Sequence, residues 1–353
     1  MTTAASEPDD APTEIGGIDL LALRSWMDDQ GLGDGPLSSV EQLTGGTQNV
    51  LLRFERSERP YVLRSPPPHK RKNSDETMRR EARVLAALAD TDVPHPGLIA
   101  AEPDVDVLGA AFYLMEPIDG FNPAAGLPEP HASDADMRHA MGLSMASAAA
   151  SLAGVDHEAV GLGDFGRPEG WLERQVDRWR GQLEGYAELD GYPGPDIPGV
   201  AEVATWLERH RPSTWTPGII HGDLHFANVL VRPDGPELAA IVDWELCTIG
   251  DPLLDLGHLL STWPGSDGAA AVGGGIRDLP SKDELVEHYA SRSGRSVEHV
   301  DWFHVLASYR LGIILEGTHA RAFAGKAPKE VGDLLHATTV GLFEGALAVM
   351  AGR

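Results

Sequence analysis

The chain has 353 residues, 42% of them hydrophobic, and a formal net charge of -26. That length exceeds what one compact core usually holds, so two lobes or domains are expected. Only five of its 28 basic residues are lysines, a balance that excludes a phosphate-neutralising nucleic-acid binder and a protein docking on an anionic membrane.

A single cysteine, Cys247, cannot close an internal disulfide, so the fold has no need of an oxidising compartment. The opening MTTAASEPDDAPTE is acidic and lacks the apolar core of a signal peptide. The small-residue run MGLSMASAAASLAGV is broken by serines and too short to span a bilayer. A cytoplasmic location is expected.

In chain order, residues 1–15 read as a disordered tail rich in Pro, Asp, Glu and Thr. Ile18, Leu20, Leu21, Leu23, Trp26 and Met27 then recur near helical spacing, and Gly31 ends that helix. Strand patterns follow over 40–43, 50–54 and 61–64, suited to an antiparallel sheet. An amphipathic helix is expected over 77–88, with Ala82, Leu85 and Leu88 on one face. Two more strands are expected at 111–115 and in VDVL, 105–108. Beyond residue 130 the pattern is mostly helical, over 134–153, 171–188, 199–210, 282–293, 300–323 and 331–350. The run MEPIDG, 115–120, reads as the joint, which divides the chain into a tail at 1–15, an N-terminal lobe at 16–117 and a C-terminal lobe at 118–353.

The stretch 219–245, IIHGDLHFANVLVRPDGPELAAIVDWE, gathers Asp223, Asn228, Asp243 and Glu245 around one hairpin. Ile219-Ile220 delivers His221-Gly222-Asp223 into a loop, and Pro233-Asp234-Gly235 turns the chain between two short strands. Asn228 and Asp243 therefore fall at the same end, beside Asp223. Clustered oxygen ligands of this kind suit a divalent cation, and Mg²⁺ favours one or two such groups together with phosphate oxygens. The spacing H-x-D-x-x-x-x-N with a second Asp fifteen residues on is the catalytic-loop arrangement of kinases. There the first Asp, here Asp223, accepts the hydroxyl proton of the acceptor, while Asn228 and Asp243 hold the metal.

The runs HGDLHFANVL and IVDWELCTIGDPLLDLGHLL resemble the aminoglycoside phosphotransferase family, small-molecule kinases with a protein-kinase-like fold. YVLRSPPP, GWLERQVDRWRGQL and LGIILEGTHARAFAG narrow the likeness to the kinase-like domain fused to acyl-CoA dehydrogenases and its free-standing bacterial relatives. The resemblance covers residues 38–350. It implies an α+β, bilobal fold, with an N-terminal antiparallel sheet plus helix and a larger, mainly helical C-terminal lobe. It also implies ATP and Mg²⁺ as cofactors and a small-molecule partner.

Carried over residue by residue, the family pattern puts Gly45, Gly46 and Thr47 in the loop that covers the phosphates. Glu116 and Ile118 fall in the linker that meets adenine. Arg64 stands where most kinases carry a strand lysine, with Glu81 as its helix partner. Arginine keeps the charge but is longer and presents a fork of donors, so this is a departure. His225 is a candidate catalytic residue, Glu245 and Trp179 are candidate substrate contacts, and His221, Asp251 and Asp255 are expected to support the loop. Trp171 and Trp302 are further pocket candidates, and Cys247 reads as a packed thiol. His69-Lys70-Arg71-Lys72 is the one basic cluster.

Three functions follow: transfer of the γ-phosphate of ATP to a hydroxyl of a metabolite such as a hydroxyacyl-CoA; transfer to an aminoglycoside antibiotic; or nucleotide binding without catalysis, motivated by Arg64 alone. Oligomeric state is not legible.

Overall fold

The computed structural model describes residues 13–43, 49–265 and 275–352. The chain divides into two compact units, the first ending at Ala89 and resuming over Pro96–Ile118, the second comprising Asp90–His95 and Asp119–Arg353.

The first unit opens with a minute antiparallel pair, β1 (Glu14–Ile15) and β2 (Ile18–Asp19), leading into α1 (Leu20–Asp29). Asp19 caps α1 by accepting the N–H groups of Leu21 and Ala22 at 2.9 and 3.0 Å. Then come β3 (Ser38–Gln42), β4 (Val50–Arg56), β5 (Arg59–Ser65), α2 (Ser74–Leu88), β6 (Leu98–Glu102) and β7 (Phe112–Met115). The sheet is antiparallel throughout, in the order β3-β4-β5-β7-β6. Alternation along β4 sends Val50, Leu52 and Phe54 into a core shared with Leu23, Trp26 and Met27 of α1. On β5 the same period turns Leu63 into that core and leaves Arg64 on the opposite face, toward α2. Trp26 closes the packing by donating its indole N–H to Glu102 at 2.7 Å.

Two expectations need correction here. Of the expected tail, Glu14 and Ile15 form β1, and residues 1–12 lie outside the described residues. The fifth strand is β6, at 98–102, whereas 105–108 forms a turn. Val107 and Leu108 pack against the core from that turn, which explains why their apolar spacing imitated a strand.

The second unit contains α3 (Ala135–Gly154), α4 (Trp171–Gly185), α5 (Val200–Arg209), β8 (Gly218–Ile220), β9 (Val229–Val231), β10 (Leu238–Ile241), β11 (Thr248–Gly250), α6 (Leu253–Thr262), α7 (Lys282–Ser293), α8 (Val300–Phe323) and α9 (Lys329–Met350). β9 and β10 form the hairpin, and β11 returns antiparallel to β8. α8 is buried on nearly every face and packs against α6 and α9. α6 and β11 had no counterpart among the expected elements. Leu253 to Leu260 are all buried, so α6 shows no amphipathic period to read. Gly257 allows the close crossing of α6 and α8, since a Cβ there would meet the Phe303 carbonyl at 2.5 Å. No helix among the described residues is long and apolar enough to cross a membrane.

Candidate active site

β8 ends at Ile220 and releases His221-Gly222-Asp223, a turn held from three directions. The Asp255 carboxylate, at the start of α6, accepts the N–H of His221 at 2.7 Å and of Gly222 at 2.8 Å. The Arg310 guanidinium, buried on α8, donates to the Gly222 carbonyl. Gly222 has φ of 85°, and a Cβ would sit 2.8 Å from the Leu246 carbonyl, so both backbone and space demand glycine. The His221 ring is fully buried between the two sides of the loop, with Nε2 3.0 Å from the Val242 carbonyl and Nδ1 accepting the Asp223 N–H at 3.3 Å. Burial drives its pKa down to about 4, so it is neutral and acts as a strut.

Asp223 is half-buried, and each of its carboxylate oxygens is engaged. Asn228 donates Nδ2 to Oδ2 and to the Asp223 carbonyl, both at 2.9 Å. His225 Nε2 lies 3.5 Å from Oδ2, and His258 Nε2, on α6, lies 3.3 Å from Oδ1. Burial pushes the carboxyl up, but the bonds and charges of His225 and His258 outweigh it and hold Asp223 well below the usual carboxylate range. The carboxylate is therefore ionised and fixed in one orientation.

His225 caps the turn Phe226–Asn228 by accepting the Ala227 N–H at Nδ1, 3.1 Å away. Its remaining nitrogen thus carries the proton toward Asp223. Because Asn228 commits its amide nitrogen to Asp223, its amide oxygen is the ligand it has to offer. The hairpin pairs Val229 with Ile241, so Asp243 follows one step past the backbone bond from Val242 N–H to the Asn228 carbonyl. Asp243 sits in the left-handed region at φ 66°, ψ 64°, a strained conformation for a non-glycine residue. A ligand atom of Glu245 lies within 4.8 Å of one on Asp243. One amide and two carboxylate oxygens are hard donors, the chemistry Mg²⁺ prefers, and the residues present fit that ion.

Asp251 is buried and accepts the Leu253 N–H at 3.0 Å, ordering the entry to α6. Trp179 is buried on α4, with the guanidinium carbons of Arg178 and Arg310 at 4.9 and 5.4 Å from its ring centroid. Trp171 stacks with Phe303 and meets Trp215, while Trp302 donates its indole N–H to the Leu207 carbonyl. Those two tryptophans are core residues. Cys247 is buried and in no disulfide.

In the first unit, the buried pair Arg64 and Glu81 meets through Nε at 2.9 Å and NH2 at 3.3 Å. Tyr113 OH donates to the same carboxylate at 2.7 Å. Glu116 is exposed, bonds its N–H to the Gly97 carbonyl, and has Arg59 at 3.7 Å, with Ile118 partly buried at the end of the unit. Gly45, Gly46 and Thr47 lie outside the described residues.

Sequence reasoning missed His258 and Arg310. His258 lies in the quoted run GDPLLDLGHLL but was not singled out. Arg310 is the one charged residue among the buried positions 302–313 of α8, and a buried cation implies a buried partner.

A family model described as "Phosphotransferase enzyme family" matches residues 39–288. The chain belongs to that family of phosphotransferases. Acyl-CoA dehydrogenase family member 11 of Gallus gallus is 31% identical over 304 residues, covering 83% of this chain and 38% of that protein. The chain thus spans well under half the length of this curated relative. A crystal structure of a Ralstonia eutropha protein named for the aminoglycoside phosphotransferases is 30% identical, with a TM-score of 0.76 and coverage of 94% of this chain and 98% of that one. The GDP complex of aminoglycoside 2'-phosphotransferase-IIIa shares the fold at 16% identity and a TM-score of 0.61, with 95% and 100% covered.

Proposed function

We propose that this chain is an ATP- and Mg²⁺-dependent kinase of a small hydroxylated metabolite that carries an anionic group, such as a hydroxyacyl-CoA. The carrying observation is the setting of Asp223: an ionised carboxylate, oriented by Asn228 and His258, at the position of a kinase catalytic base. Asp223 takes the proton of the acceptor hydroxyl as that oxygen bonds to phosphorus, and the products are ADP and a phosphate monoester. Mg²⁺·ATP supplies the phosphoryl group and, through the metal, neutralises its developing charge. Asn228 and Asp243 hold the ion, with Glu245 close by. Arg64 contacts the nucleotide phosphates, its fork held in place by Glu81. The Glu116 to Ile118 segment receives the base. His225 steadies Asp223, while His221, Asp251 and Asp255 fix the loop.

The acceptor class rests on charge. Arg178 and Arg310 both lie over Trp179, and Arg310 also reaches the backbone beside Asp223. Arg178 is exposed and has no carboxylate partner among the described residues. The exposed Arg178 guanidinium disfavours a polycationic aminoglycoside and attracts a carboxylate or phosphate. The Gallus gallus relative, named for acyl-CoA chemistry, supports the same class.

The test is a ³¹P readout of purified protein with Mg²⁺·ATP against hydroxyacyl-CoAs and kanamycin-like aminoglycosides, repeated with Arg178→Ala. A phosphate ester on the anionic acceptor, with KM raised in the variant, is expected. Turnover of aminoglycosides alone overturns the acceptor class, and nucleotide binding without any transfer to this panel counts against catalysis.

A further inference from the structure

We propose that Glu316, His319 and His336 form a binding site for a borderline transition-metal ion such as Zn²⁺ or Co²⁺, joining α8 to α9. Glu316 lies six residues beyond Arg310 on α8, about 9 Å along the helix, in the run LGIILEGTHARAFAG that the active site leaves unused.

Each of the three side chains offers one ligand atom, and these atoms lie within 4.8 Å of one another. A tetrahedral ion with ligand bonds of about 2.0–2.1 Å brings its ligands to about 3.4 Å apart, a closure that side-chain rotation can supply. Glu316 is fully buried yet forms no ion pair with Lys or Arg among the described residues. Its Oε1 accepts the Tyr192 hydroxyl at 2.6 Å, and its Oε2 lies 2.7 Å from His336 Nδ1. A buried carboxylate with one tyrosine hydroxyl and one histidine for partners, and no Lys or Arg, is costly unless a cation shares the site.

His319 Nδ1 is buried without a hydrogen-bond partner, 3.7 Å from an Asp333 oxygen. The His319 and His336 rings stack at 4.4 Å, with planes 21° apart. An imidazole ring is a common ligand for such an ion, through either of its nitrogens. Two imidazoles and one carboxylate select zinc-like ions over Mg²⁺. Tyr192 orients Glu316 from behind, and Asp333 on α9, which pairs with Lys329 through Oδ2, has Oδ1 3.7 Å from His319 Nδ1.

The experiment strips the full chain with a chelator and titrates it with Co²⁺, reading visible absorption, and with Zn²⁺, reading heat. One high-affinity equivalent is expected, with the tetrahedral Co²⁺ band weakened at least tenfold in affinity by His319→Ala and by His336→Ala. Asp223, His225 and His258 also bring ligand atoms within 4.8 Å, so His225→Ala and His258→Ala are the controls, expected to keep the signal. Circular dichroism confirms folding. Should His336→Ala not fold, His319→Ala decides, because its Nδ1 has no hydrogen bond to lose. Absence of Co²⁺ and Zn²⁺ uptake by the wild type overturns the proposal, as does a signal that survives His319→Ala but vanishes in the controls.

Discussion

Asp255 accepts the two backbone N–H groups that precede Asp223, one on each oxygen. Burial raises its pKa to about 6, against those two bonds and the pull of Arg310. Asparagine in its place has one acceptor oxygen and would turn an NH₂ toward the other N–H. Asp255→Asn is expected to lower stability by about 1–3 kcal/mol and to slow transfer by loosening the loop. Denaturant unfolding and steady-state kinetics check this, and a variant unchanged in both would show that the loop does not depend on the carboxylate. At this scale the sequence revealed residues that lie close along the chain: Asp223, Asn228 and Asp243 belong to one hairpin whose turn is written in Pro-Asp-Gly. His258 and Arg310 stayed hidden because they reach the loop from 35 and 88 residues away in sequence, and local spacing carries no trace of such contacts.

Among the elements, those with one buried and one wet face were readable. α1, α2 and β4 show their periods plainly, since a boundary with water writes the pattern. α6 is buried all round and β11 is three residues long, so neither leaves a period. The β4–β5 hairpin carries a local conflict of its own. Arg56 pairs with Arg59, which forces a two-residue turn in which Ser57 and Glu58 adopt φ of 49° and 62°. Ser57 is anchored by exchanging hydrogen bonds with the Asp34 backbone, whereas Glu58 simply bears the left-handed strain. Glycine relieves about 1–2 kcal/mol of that strain and costs about 0.5–1 kcal/mol in chain entropy. Glu58→Gly should therefore raise stability by about 0.5–1 kcal/mol, seen as a higher denaturant midpoint; a lower midpoint contradicts the account.

For the whole molecule, the net charge of -26 bounded the class of partner but did not reveal that two guanidiniums, Arg178 and Arg310, lie over Trp179. Buried histidines set the acid limit of the fold. His304 is held down to about 3, first by burial and then by the like charge of Lys282, against 6.5 when free. Between those values the unfolded chain binds more protons, so the contribution is full above about pH 6.5 and drains away as pH falls toward 3. His221 works in the same direction down to about 4. Asp255 opposes them, since its raised pKa lends stability at low pH that is lost as pH rises through about 6. His304→Asn removes one proton from the balance. The difference in unfolding free energy between variant and wild type should then change by about 1.4 kcal/mol per pH unit through the middle of that window. A pH-independent difference would mean that His304 is protonated in the native state.

The central claim is that Asp223 is the base of a phosphoryl transfer, and Asp223→Ala tests it most directly, with rate and nucleotide affinity measured on the same preparation. The account predicts a fall in kcat of about 10²–10⁴ while Mg²⁺·ATP still binds, because the proposed metal ligands Asn228 and Asp243 are unaltered. An unchanged rate would contradict it and remove Asp223 from the chemistry.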